Sequence, residues 1–104
     1  LFVDVRGART FNSQPNDARP FLTSGQWQDI HDGLGRNGAF AHCKLLIVAT
    51  QVPIVFLGSP LTELAAKVAD DFEGMWSYKE HAKEQLELLE ALLKWKSGGR
   101  GRTV

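Results

Sequence analysis

Cysteine is nearly absent: Cys43 stands alone in 104 residues, so no disulfide can form within the chain and a disulfide-stapled scaffold is excluded. Net charge is absent too. Twelve basic and twelve acidic residues cancel, which removes the electrostatic argument for a nucleic-acid or anionic-membrane partner. No apolar run reaches the roughly 18 to 20 residues of a membrane span, because "KLLIVATQVPIVFLG" is interrupted by Thr50, Gln51 and Pro53. Internal repeats are also missing. What remains, 43% hydrophobic and 23% charged, is the composition of a folded globular segment. A chain of this length buries roughly 65% of its unfolded surface, enough for one modest core.

The first five residues, Leu1 to Val5, are too apolar for a solvent-facing helix and read as a strand buried on both faces. A start inside a strand, with no initiator Met, reads as an interior piece of something longer. "GARTFNSQPNDARPF" is rich in Gly, Asn, Ser and Pro and reads as loop. Thr23 with Gln26 then makes a capping box, and Trp27, Ile30 and Leu34 recur on one stripe, predicting a helix from Ser24 to Gly33. Gly33, Gly35 and Gly38 stop it. Lys44 to Ala49 reads as a second buried strand, parallel to the first across the crossover helix. Val52 to Phe56 could extend it, but Pro53 argues for a break, an edge or a bulge.

Ser59 and Pro60 open a predicted second helix bearing Leu61, Leu64, Ala65 and Val68, ending near Asp70 and Asp71. Ser77 with Glu80 forms another capping box, and Tyr78 to Lys96 has high helix propensity throughout. There Ala82, Leu86, Leu89 and Leu93 form one stripe, and Leu88, Leu92 and Trp95 widen it, so the helix is expected to touch more than one neighbour. Glu90 and Lys94 make an i,i+4 pair on the solvent side. "SGGRGRTV" ends the helix as a flexible loop and leads toward another strand at Thr103 and Val104. The fold class is therefore α/β: one segment, residues 1–104, with a partial sheet of two to four strands, a crossover helix and a long amphipathic helix.

Candidate chemistry is sparse. "GLGRNG" matches the dinucleotide fingerprint by letter, but it follows a helix and precedes a strand, the reverse of what the fingerprint needs, and reads as a helix stop. His31, His42 and His81 show no metal-ligand spacing, and Cys43 has no identifiable partner for nucleophilic work, so no metal and no catalytic residue is assigned. Asp70, Asp71 and Glu73 suit a helix N-terminus better than an incomplete metal site. Asp4, Arg6 and Arg9 stand apart. Arginines at the carboxyl end of a strand in an α/β sheet can take a phosphate bidentately, although an Asp–Arg pair that merely orders the loop fits the same spacing.

In order and separation, "FVDVRGAR", "TSGQWQDIHDGL", "CKLLIVATQVPIVF" and "DDFEGMWSYKEHAKEQLELLEALL" resemble the later part of a PhoD-like (alkaline phosphatase D) metallophosphatase across nearly the whole chain. Glu73 to Trp76 depart from the aromatic more usual after the acidic residue in that stretch. The resemblance implies part of an αββα sandwich and, in the intact parent, divalent or ferric metal ions that polarise a phosphate ester and activate water. Its metal ligands are expected outside this chain, before the first strand and in a G-D-x-H motif beyond Val104, so the chain itself carries no cofactor. Arg6 is the best carry-over as a phosphate-side or loop-ordering residue, Asp4 its support and Arg9 a further candidate. The expected function is that of a segment of a phosphomonoesterase or phosphodiesterase, inactive alone. Its partners would be the rest of the parent domain or a second copy, with a phosphate ester as the parent's substrate and neither nucleic acid nor membrane. The alternative is a non-catalytic α/β interaction module that self-associates through strand edges and an apolar helix face.

Overall fold

The structure, a computed structural model, describes residues 1–7, 20–55, 75, 76, 78 and 81–104. The predicted helix at Ser59 to Val68, the acidic cluster at Asp70 to Glu73, the capping box of Ser77 and Glu80, and Arg9 lie outside the described residues.

Among the described residues, four regular elements follow in the order β1 (Phe2–Val3), α1 (Ser24–Leu34), β2 (Ala49–Thr50) and α2 (Ala82–Ser97). The strands pair in parallel, with Phe2 opposite Ala49 and Val3 opposite Thr50. Leu1 N–H donates to Ile47 O at 3.0 Å and Ala49 N–H to Leu1 O at 2.9 Å. On the other edge, Leu46 N–H donates to Thr103 O at 3.0 Å and Thr103 N–H to Lys44 O at 2.9 Å, a parallel bridge between Leu45 and Thr103. Residues 47 and 49 thus turn their backbone toward β1, and residues 44 and 46 toward Thr103. Because an extended chain presents its peptide groups to alternate sides, the Lys44 to Thr50 segment is the middle of three parallel segments. The parallel pairing predicted from the apolar runs is present, but regular strand among the described residues is confined to Phe2–Val3 and Ala49–Thr50. The rest of the Lys44 to Ala49 run is held only by the Leu45–Thr103 bridge and single backbone bonds.

Side-chain alternation shows how the sheet is covered. Val3, Val5 and Leu46 are buried, whereas Phe2 is 66% exposed, Leu45 61% and Ile47 71%. The expectation of strands buried on both faces is therefore corrected. Continuous apolar runs imply two covered faces only when a layer lies on each side, and among the described residues α1 and α2 pack on one. The segment 52–55 leaves the sheet as Pro53 suggests, and Gln85 Nε2 donates to Ile54 O.

Helix α1 starts as predicted. Thr23 is extended and its Oγ1 accepts from Gln26 N–H at 3.2 Å. The capping box is only half formed, because the Gln26 amide reaches instead to Asp4 O, 3.2 Å away. At the far end Gly35 N–H returns to Asp32 O and Phe40 N–H to Gly33 O. A Cβ on Gly38 would collide with the carbonyl oxygens of Asp32 and Gly33, so this turn requires glycine there.

Helix α2 begins at Ala82, four residues later than predicted, with His81 as its cap and no side-chain capping bond. A turn precedes it, in which Tyr78 N–H donates to Met75 O and His81 N–H to Tyr78 O. Its buried stripe is Leu88, Leu92 and Trp95, at i, i+4 and i+7. Of the other apolar positions expected to line the helix face, Ala82 and Leu89 are half-buried, whereas Leu86 is 56% and Leu93 62% exposed. Helix α1 takes the Leu88 side, and the core there joins Phe21, Leu22, Ile30, Trp76, Leu88, Leu92 and Trp95 to the sheet residues. The Gly-rich end is not a loose loop. Arg102 lies over the Trp95 ring, 4.7 Å from its centroid, and donates to Trp95 O at 2.7 Å and to Ala41 O. Trp95 Nε1 donates in turn to Phe40 O at 3.0 Å, so one stacked pair ties α2, the turn after α1 and the Thr103 segment together.

Candidate functional site

The carboxyl ends of β1 and β2 meet the first turn of α1, and Asp4 sits at that junction. Its Oδ1 accepts from Arg6 N–H and Gly7 N–H, both at 3.0 Å, and from Gln51 Nε2 at 3.1 Å. Gln51 Oε1 accepts from Val5 N–H at 3.0 Å, and Asp4 O receives the Gln26 amide from α1. An aspartate capturing the amides two and three residues ahead is a local turn that short polar side chains favour at strand ends. The Gly7 and Arg6 amides, in that order, hold the Asp4 carboxyl below its ordinary value of 3.8, with Gln51 adding to them and partial desolvation opposing.

The structure therefore brings Asp4 and Arg6 together through the backbone. Asp4 binds the Arg6 amide, and the exposed Arg6 guanidinium has no hydrogen-bond or ion-pair partner among the described residues. Fixing the Arg6 amide restrains the direction in which its Cα projects the side chain. Chemically, a guanidinium left unpaired at the carboxyl edge of a parallel sheet offers two parallel N–H donors to an oxyanion.

Two residues of this junction were not singled out by sequence reasoning. Gln51 directly follows the second parallel strand, so the rule that α/β sites lie beyond strand carboxyl ends is the signal that could have found it. Gln26 was read only as a capping partner. A third omission is Glu84 in the first turn of α2. Its Oε1 accepts from Phe21 N–H at 2.6 Å, and its Oε2 from Leu22 N–H at 3.0 Å and Trp27 Nε1 at 2.9 Å. This carboxylate fastens the entry to α1 onto α2; no spacing rule relates residues 62 apart.

The histidines are dispersed. His31 Nε2 lies 3.0 Å from Glu87 Oε1, with Trp27 stacked on its ring. That exposed pair edges a cleft of about 740 Å³ between α1 and α2, also lined by Arg36, Glu90, Lys94 and Trp95. His42 is exposed, and His81 is buried against Phe21, 4.5 Å between ring centroids. Cys43 is half-buried against the core. Among the described residues no three His, Cys, Asp or Glu side chains converge as a metal site would need. Likewise, no helix among the described residues is long and apolar enough to cross a membrane.

The chain matches no protein-family model, no curated protein and no solved structure.

Proposed function

We propose that this chain is a scaffold segment of a metal-dependent phosphoesterase of PhoD-like type, contributing a phosphate-side arginine and inactive alone. The observation that carries this reading is the Asp4 turn: Oδ1 holds the Arg6 and Gly7 amides at the carboxyl end of β1, and the guanidinium is left unpartnered among the described residues. An arginine so placed binds two non-bridging oxygens of a phosphate ester and neutralises charge there. Metal chemistry belongs, on this reading, to the remainder of the parent.

The order of elements supports the same reading. A parallel strand, a crossover helix, a second parallel strand and a long helix leading to a third are what the resemblance requires between two halves of a metal site. The test has two parts. The coding sequence beyond Val104 should contain G-D-x-H within about ten residues, and its absence there sinks the assignment. In the parent that carries this motif, Arg6→Ala should lower kcat/KM on p-nitrophenyl phosphate by about a hundredfold, while Arg6→Lys retains part of the activity.

The rival reading, a non-catalytic module that self-associates, is favoured by one observation: Phe2, Leu45 and Ile47 form an exposed apolar face on the sheet. Elemental mass spectrometry of the tag-free chain, together with sedimentation, separates the two. A stable metal-free oligomer whose coding sequence lacks G-D-x-H supports the module.

A further inference from the structure

We propose that Gln51 is a positioning residue for Arg6, a two-way amide clamp that carries the order of β2 into the turn presenting the guanidinium. The functional half of this inference rests on the reading of Arg6 as phosphate-side; the structural half does not.

Register brings the clamp into being. Phe2 faces Ala49 and Val3 faces Thr50, so the next pair along the parallel strands is Asp4 and Gln51. Regular pairing stops there, and the Gln51 side chain takes over from the backbone ladder. Its oxygen accepts the Val5 amide at 3.0 Å and its nitrogen donates to Asp4 Oδ1 at 3.1 Å. These two demands differ in sign. Val5 N–H needs an acceptor and the Asp4 carboxylate needs a donor, and a terminal amide supplies both from one planar group. A carboxylate at position 51 would accept from Val5 but set a second negative charge against Asp4. An apolar side chain would serve neither.

Asp4 then relays the constraint. The oxygen that Gln51 holds is the one that captures the Arg6 and Gly7 amides. From the opposite side the Gln26 amide of α1 holds the Asp4 carbonyl, so Asp4 is fixed by β2 and α1 together. Glycine at position 7 leaves the other carboxylate oxygen its room, since a Cβ there would stand 2.6 Å from Asp4 Oδ2. The groups that hold Asp4 from β2 and α1, Gln51 and Gln26, are neutral, and Arg6 is the charged group on its own turn. Acidic pH therefore acts on this junction through Asp4.

The experiment uses the ¹⁵N-labelled chain, inorganic phosphate as probe, and the variants Gln51→Ala, Gln51→Glu and Arg6→Ala. In the wild-type chain the Arg6 and Gly7 amide resonances should follow the Asp4 carboxyl as it titrates, and phosphate should shift the Arg6 guanidinium signals. Gln51→Ala should reduce exchange protection of the Arg6 and Gly7 amides and weaken phosphate binding, each by about tenfold. Gln51→Glu should do the same at pH 7, but recover when acid lets the introduced carboxyl and that of Asp4 share a proton. A purely structural role would not give that pH-dependent recovery. Because recovery is read within one molecule, the test survives a Gln51→Ala variant that fails to fold.

Wild-type protection of both amides in Gln51→Ala, or no acid recovery in Gln51→Glu, overturns the clamp. Unchanged phosphate binding in a folded Gln51→Ala, with binding abolished in Arg6→Ala, overturns its functional half alone. If the wild-type chain shows no phosphate response, the reading of Arg6 fails and that half fails with it. The amide data then decide the clamp by themselves.

Discussion

Glu84 shows what one side chain does when three donors converge on it. The amides of Phe21 and Leu22 and the indole of Trp27 all end on its carboxylate, so replacing it strands partly buried N–H groups. Glu84→Gln puts an NH₂ where an acceptor is needed, and should cost about 1–3 kcal/mol in urea unfolding, a loss that Glu90→Gln, exposed on the same helix, does not reproduce. Asp4 gives a second prediction, in pH. Its folded carboxyl titrates below the ordinary 3.8, so its stabilising contribution is fully present above about that value and is lost as pH falls through the folded one. Asp4→Asn keeps an Oδ1 acceptor and loses the charge. Wild-type protein should therefore shed more stability than Asp4→Asn on acidification from about pH 4 to pH 2, and equal losses would remove Asp4 from the acid response. Glu84's role was not open to pattern reading; for Asp4 the spacing suggested a loop-ordering pair with Arg6, but not that its bonds would go to the Arg6 and Gly7 amides. The Glu84 bonds depend on where tertiary packing places amides 62 and 63 residues away, and a carboxylate in a sequence does not announce which amides it will meet.

Among the elements, α2 separates what periodicity can and cannot decide. Its existence and length follow from propensity, and both apolar stripes were visible. Which stripe is buried is set by the position of α1 and the sheet, and the choice fell on Leu88, Leu92 and Trp95. Leu88→Ala should cost about 2–5 kcal/mol by cavity formation, and Leu86→Ala, at 56% exposure, about 0.5 kcal/mol or less. Reversed costs in denaturant titrations would mean the helix face is assigned wrongly. Helix α1 was more legible, because Thr23, the Trp27, Ile30 and Leu34 spacing and the glycines encode start, face and stop locally. The parallel strands were legible as apolar runs and in their direction, and the lead-in at Thr103 was legible from its β-branched pair after a glycine turn. Their one-sided burial was not, since an apolar run looks the same whether or not a second layer covers it. Arg102 was read as part of a loose loop because its anchors, Ala41 O and Trp95 O, are carbonyls, which no side-chain motif reveals.

On a larger scale, among the described residues the sheet carries helices on one face and exposed apolar side chains on the other. Phe2, Leu45 and Ile47 project there. Exposed apolar groups clustered in this way mark a surface that another layer or another copy covers. The two proposed readings then make opposite demands on Ile47→Lys. Ile47 is 71% exposed in the chain by itself, so the substitution should change folded stability by about 0.5 kcal/mol or less while lowering concentration-dependent association in sedimentation velocity. Placed in a longer protein whose remaining layer covers this face, the same lysine would be an unpaired buried charge. There it should cost several kcal/mol, on the order of the penalty for stranding a charged group, and abolish folding or activity. A lysine harmless in both settings means that this face stays open in the parent, and the reading of the chain as one layer of a phosphoesterase fold fails. A lysine that disperses the isolated chain's oligomers and destroys the longer protein means that the surface self-associates only for want of its own second layer.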